Sequence, residues 1–206
     1  MTKEPNPLTK NKYVLFFILS LTALINIFGA SANEFLPPEN KSHPFYWESK
    51  VFRWVYSDFN EPDWVGGLGA TLFKEAASAW ESCGVRIEFG GVVHTPVQRR
   101  NLMNELGWAK MPPQIRGLTF RVPFLGTDKI AESDLVMNLQ NADIKNNPDL
   151  LKKVIRHEFG HALGLVHSEF CTDVMSSAAE CGRRIADPPP LTPTDNDLNQ
   201  CKIRYQ

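Results

Sequence analysis

His157-Glu158-Phe159-Gly160-His161-Ala162-Leu163-Gly164-Leu165-Val166-His167 fits the pattern H-E-x-x-H-x-x-G-x-x-H at every fixed position. Each fixed residue has its own chemical task. His157 and His161 are four apart, so on a helix they share one face, one turn apart. Two imidazoles so placed can hold one zinc ion at roughly 2.0–2.1 Å. Glu158 leans out beside them, near where a water on the metal would sit. Gly164 can take a positive φ and end the helix. The chain then turns and returns His167 as a third ligand. Three protein ligands leave a fourth position open, the pattern of a catalytic rather than a structural zinc. A structural site would be closed by a fourth Cys or His and would have no use for Glu158. Cys171 is near enough in sequence to compete for that place, but a disulfide suits it better. An amphipathic helix explains a bare H-E-x-x-H; it does not explain the added glycine and third histidine.

The preceding residues are built to carry this stretch. Asn147-Pro148-Asp149 reads as N-cap, N1 and N2 of a helix. Leu150, Val154, His157 and His161 follow at helical spacing, with Leu151, Ile155 and Ala162 on an adjoining stripe. The ligands therefore continue an apolar face, which predicts a site at the floor of a cleft. Lys152, Lys153 and Arg156 fall on the other side and read as a solvated face.

The N-terminus carries Lys3, Lys10 and Lys12, then a mostly apolar run from Tyr13 to Ala30, then Ala30-Ser31-Ala32. This order predicts a secretory signal peptide over residues 1–32 and an extracytoplasmic protein, secreted or periplasmic. The competing reading is an uncleaved membrane anchor, for which the run is just long enough. Removing residues 1–32, with three Lys and one Glu, takes the chain from 22 basic and 23 acidic residues to 19 and 22, a net of −3. That balance argues against nucleic acid or an anionic membrane as partner. The 174 residues left of 206 suffice for one domain with a real core, expected as a monomer.

All four cysteines, Cys83, Cys171, Cys181 and Cys201, lie beyond residue 32. An even count in an exported chain points to two disulfides, with three connectivities and free thiols as the alternative. The preferred pairing is Cys171–Cys181, stapling the loop after the third histidine, with Cys83–Cys201, tying an early helix to the last one.

Residues 33–50, with Pro37, Pro38 and Pro44, read as an irregular N-terminal segment or short pro-region, and residues 51–206 as the domain proper. Strands are predicted at Val51–Tyr56, Val85–Phe89 (stopped by Gly90-Gly91), Leu106–Ala109, Leu118–Phe124 and Asp134–Leu139. Leu72, Ala76, Ala79 and Trp80 show helical spacing that ends near Cys83-Gly84. Thr194-Asp195-Asn196-Asp197 opens a last helix through Tyr205, with Thr192 or Thr194 as cap. Strands and helices mix as an α+β domain.

The extended histidine string is the metzincin signature, and the chain resembles that clan of zinc endopeptidases. Within it the chain is most similar to small bacterial matrixin-like proteins, on Ser168 after the third histidine, Met175 eight residues beyond His167, and the segments Asn104–Trp108, Gly117–Phe120, Ile130–Asn138 and Leu191–Asp195. The resemblance implies a twisted, mostly parallel sheet with an active-site helix, a Met-turn and a C-terminal helix. It implies a single catalytic zinc held by His157, His161 and His167, and Met175 as a hydrophobic floor beneath it. Glu158 would be the general base, acting on a protein or peptide substrate that lies along an edge strand, residues 117–124. The Cys83–Cys201 pairing has a counterpart in the astacins of the same clan.

The departures are as informative. No P-R-C-G-x-P-D cysteine switch exists, and no cysteine precedes Cys83. The loop that carries a second, structural zinc in animal matrixins is missing. Outside the motif only His43 and His94 remain, and both read as surface or cap residues. Ser176-Ser177 follows Met175 where Tyr-Pro would build the specificity-pocket wall. The family's Ca2+ sites cannot be traced in this sequence. A zinc-retaining but non-proteolytic binding or toxin-associated module is the alternative function.

Overall fold

The computed structural model describes residues 45–177, 181 and 190–206. The expected signal peptide, most of the irregular segment up to residue 44, His43, and Pro188 and Pro189 lie outside the described residues. Everything described belongs to one unit, Asn40–Gln206.

Strand β1 (Val51–Ser57) alternates buried Phe52, Trp54 and Tyr56 with less buried neighbours, as its sequence pattern requires. Helix α1 (Gly69–Ser78) follows and buries Phe73, Ala76 and Ala77. Strands β2 (Arg86–Val93), β3 (Glu105–Ala109), β4 (Gly117–Pro123) and β5 (Ile130–Asn138) complete a five-stranded sheet of order β2-β1-β3-β5-β4. The first three pairings are parallel, and β4 joins β5 antiparallel. The sheet is thus mostly parallel, and β4 is an edge. A short helix α2 (Ala142–Asn146), helix α3 (Pro148–Ala162) and helix α4 (Asp195–Tyr205) follow.

Three predicted boundaries move by more than one residue, the first two for a reason that the packing shows. Gly90-Gly91 does not stop β2. The register passes from Trp54↔Phe89 to Tyr56↔Val92, so the glycine pair forms a bulge, with Gly91 at φ 117°. Strand β5 starts four residues earlier than predicted. Glu132 and Ser133 are fully buried, and the Glu132 carboxylate accepts the backbone N–H groups of Arg100 and Leu102. A buried carboxylate saturated by main-chain donors reads as polar surface in a sequence. Helix α1 ends at Ser78, and Glu81–Cys83 forms a separate 3-10 turn. Helix α2 is not among the predicted elements; Asn141 caps it by accepting the N–H groups of Asp143 and Ile144.

Helix α3 begins as its sequence predicts. Asn147 Oδ1 accepts the Leu150 N–H, and Pro148 takes the first helical position. Leu151, Ile155, Phe159 and Ala162 are the stripe driven into the core. Phe159 meets Phe52 and Trp54 of β1 edge-on, at ring separations of 5.5 and 6.0 Å. This packing fixes the helix rotation, so residues 157, 158 and 161 present a different side. Arg156 is no solvated lysine-like residue: its guanidinium bonds the Leu191 carbonyl.

Both predicted disulfides are present, Cys83–Cys201 and Cys171–Cys181. Cys171 is therefore not a metal ligand. The first bridge joins the turn after α1 to α4.

Candidate active site

The end of α3 places the third histidine. Helical geometry stops at Ala162, Leu163 is the C-cap and Gly164 sits at φ 89°. The Leu165 N–H reaches back to the Gly160 carbonyl at 3.0 Å, and the Gly164 N–H to His161 at 2.9 Å. This is the Schellman arrangement, with glycine at the left-handed position. A side chain at residue 164 would also collide with the Phe45 carbonyl. Released by this turn, the chain brings His167 back over the helix.

The three imidazoles then converge. His161 Nε2 lies 3.1 Å from His157 Nε2 and 3.2 Å from His167 Nε2. The opposite nitrogens explain their protonation. His157 Nδ1 is 2.8 Å from the Val174 carbonyl, and His161 Nδ1 is 2.8 Å from the Leu165 carbonyl. A carbonyl accepts only, so both Nδ1 atoms carry the proton and both Nε2 atoms face each other with lone pairs. No proton is left to bridge His157 and His161, so the contact is repulsive without a cation between them. Three nitrogens at such spacing suit one ion at about 2.0–2.1 Å from each. The donor set fits zinc. Among the described residues this triad is also the one group of His, Cys, Asp or Glu side chains able to hold a metal. Burial pushes His157 down to about 4, with the neighbouring His167 adding to the fall against the pull of the Val174 carbonyl. Burial and the two other imidazoles hold His161 well below its usual value. Both rings are neutral at pH 7, the form in which an imidazole can coordinate a metal.

Glu158 is buried beside the triad. Thr119 of β4 donates its hydroxyl toward Glu158 Oε2 at 2.8 Å and the Glu158 carbonyl at 2.9 Å. Burial raises this carboxyl to about 7, while the Thr119 bond and the charge of Arg121 pull it back. A buried carboxyl poised near neutrality can both take and return a proton.

Met175 is buried, and its sulfur lies so close to Gly160 that a Cβ there would collide with it. Gly160, between the two helical histidines, is what admits it. The turn around Met175 is held by α4. Asp197 accepts the N–H groups of Val174 at 2.9 Å and Met175 at 3.2 Å, along with that of its own N-cap Thr194 at 2.9 Å. Asp173 accepts from Ser168, Thr194 and Asn196. Thr119, Arg121, Asp173 and Asp197 were not singled out for the site by sequence reasoning. The one available signal was Thr194-x-x-Asp197, which reads as a capping box and is one. Histidine 94 stays away from the triad, exposed and paired with Asp58 at 2.9 Å.

A family model described as Matrixin matches residues 67–201, well over half of the chain. Comparison with curated proteins gives no match. Among solved structures, the chain is similar to a chain of one described as "GM1 bound form of the ECX AB5 holotoxin". The TM-score is 0.56 at 14% identity, covering 80% of this chain and 85% of that one. At that identity the likeness concerns the fold alone. The histidine string, the convergent triad and the matched model agree, and the chain belongs to the matrixin family.

Proposed function

We propose that this protein is a secreted zinc-dependent endopeptidase of metzincin fold, cleaved after Ala32 and acting as a monomer through the domain 51–206. The observation that carries the reading is the convergence of three imidazole Nε2 atoms, of His157, His161 and His167, beside a buried carboxyl, Glu158, poised near neutrality. Membership of the matrixin family supports it. Two disulfides are compatible with an extracytoplasmic protein, and no described helix is long and apolar enough to cross a membrane.

The chain's own residues divide the work. The three Nε2 atoms would hold the ion, those of His157 and His161 directed by the Nδ1–H bonds to the Val174 and Leu165 carbonyls. Zinc, when bound, supplies a Lewis acid for the scissile carbonyl and makes water a nucleophile at neutral pH. Glu158 takes the proton from the attacking water and returns it to the leaving amine. Strand β4 has one edge outside the sheet, so a substrate backbone can add there as a further strand. Met175 packs under the ligand-bearing turn of α3 as an apolar floor.

A second reading, a zinc-retaining module without proteolytic activity and associated with a toxin, draws on the likeness to a holotoxin chain. Incubation of the purified exported protein with casein separates the two. The endopeptidase reading expects fragments that disappear on chelation and return with zinc. Intact casein at full zinc occupancy supports the module.

A further inference from the structure

We infer that Thr119 is the positioning residue of Glu158, tying one carboxylate oxygen to the edge strand so that the other is presented for the reaction. This rests on the endopeptidase reading of Glu158 and adds to it a residue that neither the histidine string nor its spacing announces.

Glu158 has three rotatable side-chain bonds, and a carboxylate free to turn has no fixed relation to a reacting water. The structure removes that freedom from one side. Thr119 Oγ1 lies 2.8 Å from Oε2 and 2.9 Å from the carbonyl of the same residue, so one hydroxyl grips both ends of Glu158. The hydroxyl is itself held. Thr119 is β-branched, which stiffens its χ1. It sits in β4 opposite Leu135 of β5, and it is buried. Two residues earlier, Gly117 leaves the room that Glu158 Cγ fills; a Cβ there would come to 2.9 Å. Oε1 is not the oxygen that Thr119 holds. Oε2 is thus the anchored oxygen and Oε1 the working one.

The hydroxyl's chemistry suits a base that must take up and release a proton. Thr119 has one proton and two acceptors within reach. While Glu158 is charged the proton points to Oε2. When Oε1 holds a proton, Oε2 is still an acceptor and the same hydroxyl goes on donating to it. The side chain stays gripped through both steps, whereas an apolar residue of the same shape would grip it in neither.

The test compares Thr119→Val, Thr119→Ala and Thr119→Ser in the full exported protein. Loss of the hydroxyl is expected to lower kcat about tenfold or more with KM and zinc content little changed. Thr119→Ser restores the rate. In a Glu158→Gln background, Thr119→Val removes nothing further. Wild-type kcat in Thr119→Val, or a serine variant as impaired as valine, overturns the inference; if valine prevents folding, alanine decides on the same terms. Should the wild type cleave no peptide at all, the endopeptidase reading fails and the tie is still measurable. The Glu158 carboxylate band in the infrared spectrum of the metal-free protein, identified by its loss in Glu158→Gln, shifts in Thr119→Val if Thr119 grips it and stays in place if it does not.

Discussion

Burial raises the Asp134 carboxyl to about 8, against the pull of the Glu105 N–H and with the Glu132 and Glu105 carboxylates adding to the rise. The folded state then keeps a proton that the unfolded chain releases near its usual value of 3.8. Between these two values the folded form binds more protons, so stability falls as pH rises. Asp134→Asn removes this dependence. From pH 5 to pH 8 the melting temperature of the wild type should drop relative to the variant, on the order of 5 °C. Parallel curves would mean that Asp134 is ionised in the fold. Residues of this kind mark the limit of sequence reading. His157, Glu158, His161 and His167 are legible because their spacing is fixed by one helix and one turn. Asp134, Glu132 and Thr119 are not, because the groups that satisfy them arrive from elements distant in sequence.

The Met175 turn shows how one element borrows its order from another. Asp197 of α4 holds the Val174 and Met175 N–H groups, and the Val174 carbonyl in turn holds His157 Nδ1. Asp197→Ala leaves buried main-chain donors without a partner, at about 1–3 kcal/mol for each. It also frees the carbonyl that orients the first histidine. We predict a lower melting temperature together with zinc affinity weakened about tenfold or more, read by competition with a chromogenic chelator. Stability lost with affinity unchanged would show that the turn does not orient the ligand. At this scale elements are more legible in the sequence than their couplings. The caps at Asn147 and Thr194 predicted the starts of α3 and α4, since capping is local. The second role of Asp197 is invisible until the turn folds onto it, and the bulge at Gly90-Gly91 needed β1 as its partner.

Across the whole molecule, two disulfides close very different loops. Cys83–Cys201 spans 118 residues and Cys171–Cys181 spans 10. On loop entropy alone the first contributes about 4–5 kcal/mol and the second roughly 2–3. Replacing Cys83 and Cys201 with serine should therefore lower the melting temperature more than replacing Cys171 and Cys181. The reverse order would mean that stability resides in the loop after His167 rather than in the link between α1 and α4. The α+β class and the presence of two disulfides were open to a sequence reading because strand pattern and cysteine count constrain the whole chain, whereas the pairing was a preference among three connectivities. The sheet order was not, since parallel neighbours are set by packing far along the chain. The central claim is that the triad and Glu158 together hydrolyse peptide bonds. It is tested most directly by casein hydrolysis with the wild type and Glu158→Gln, each carrying a measured one zinc per chain. The account predicts equal zinc content and a rate at least about 100-fold lower in the variant. Equal rates, or a zinc-loaded wild type that leaves casein intact, would contradict it.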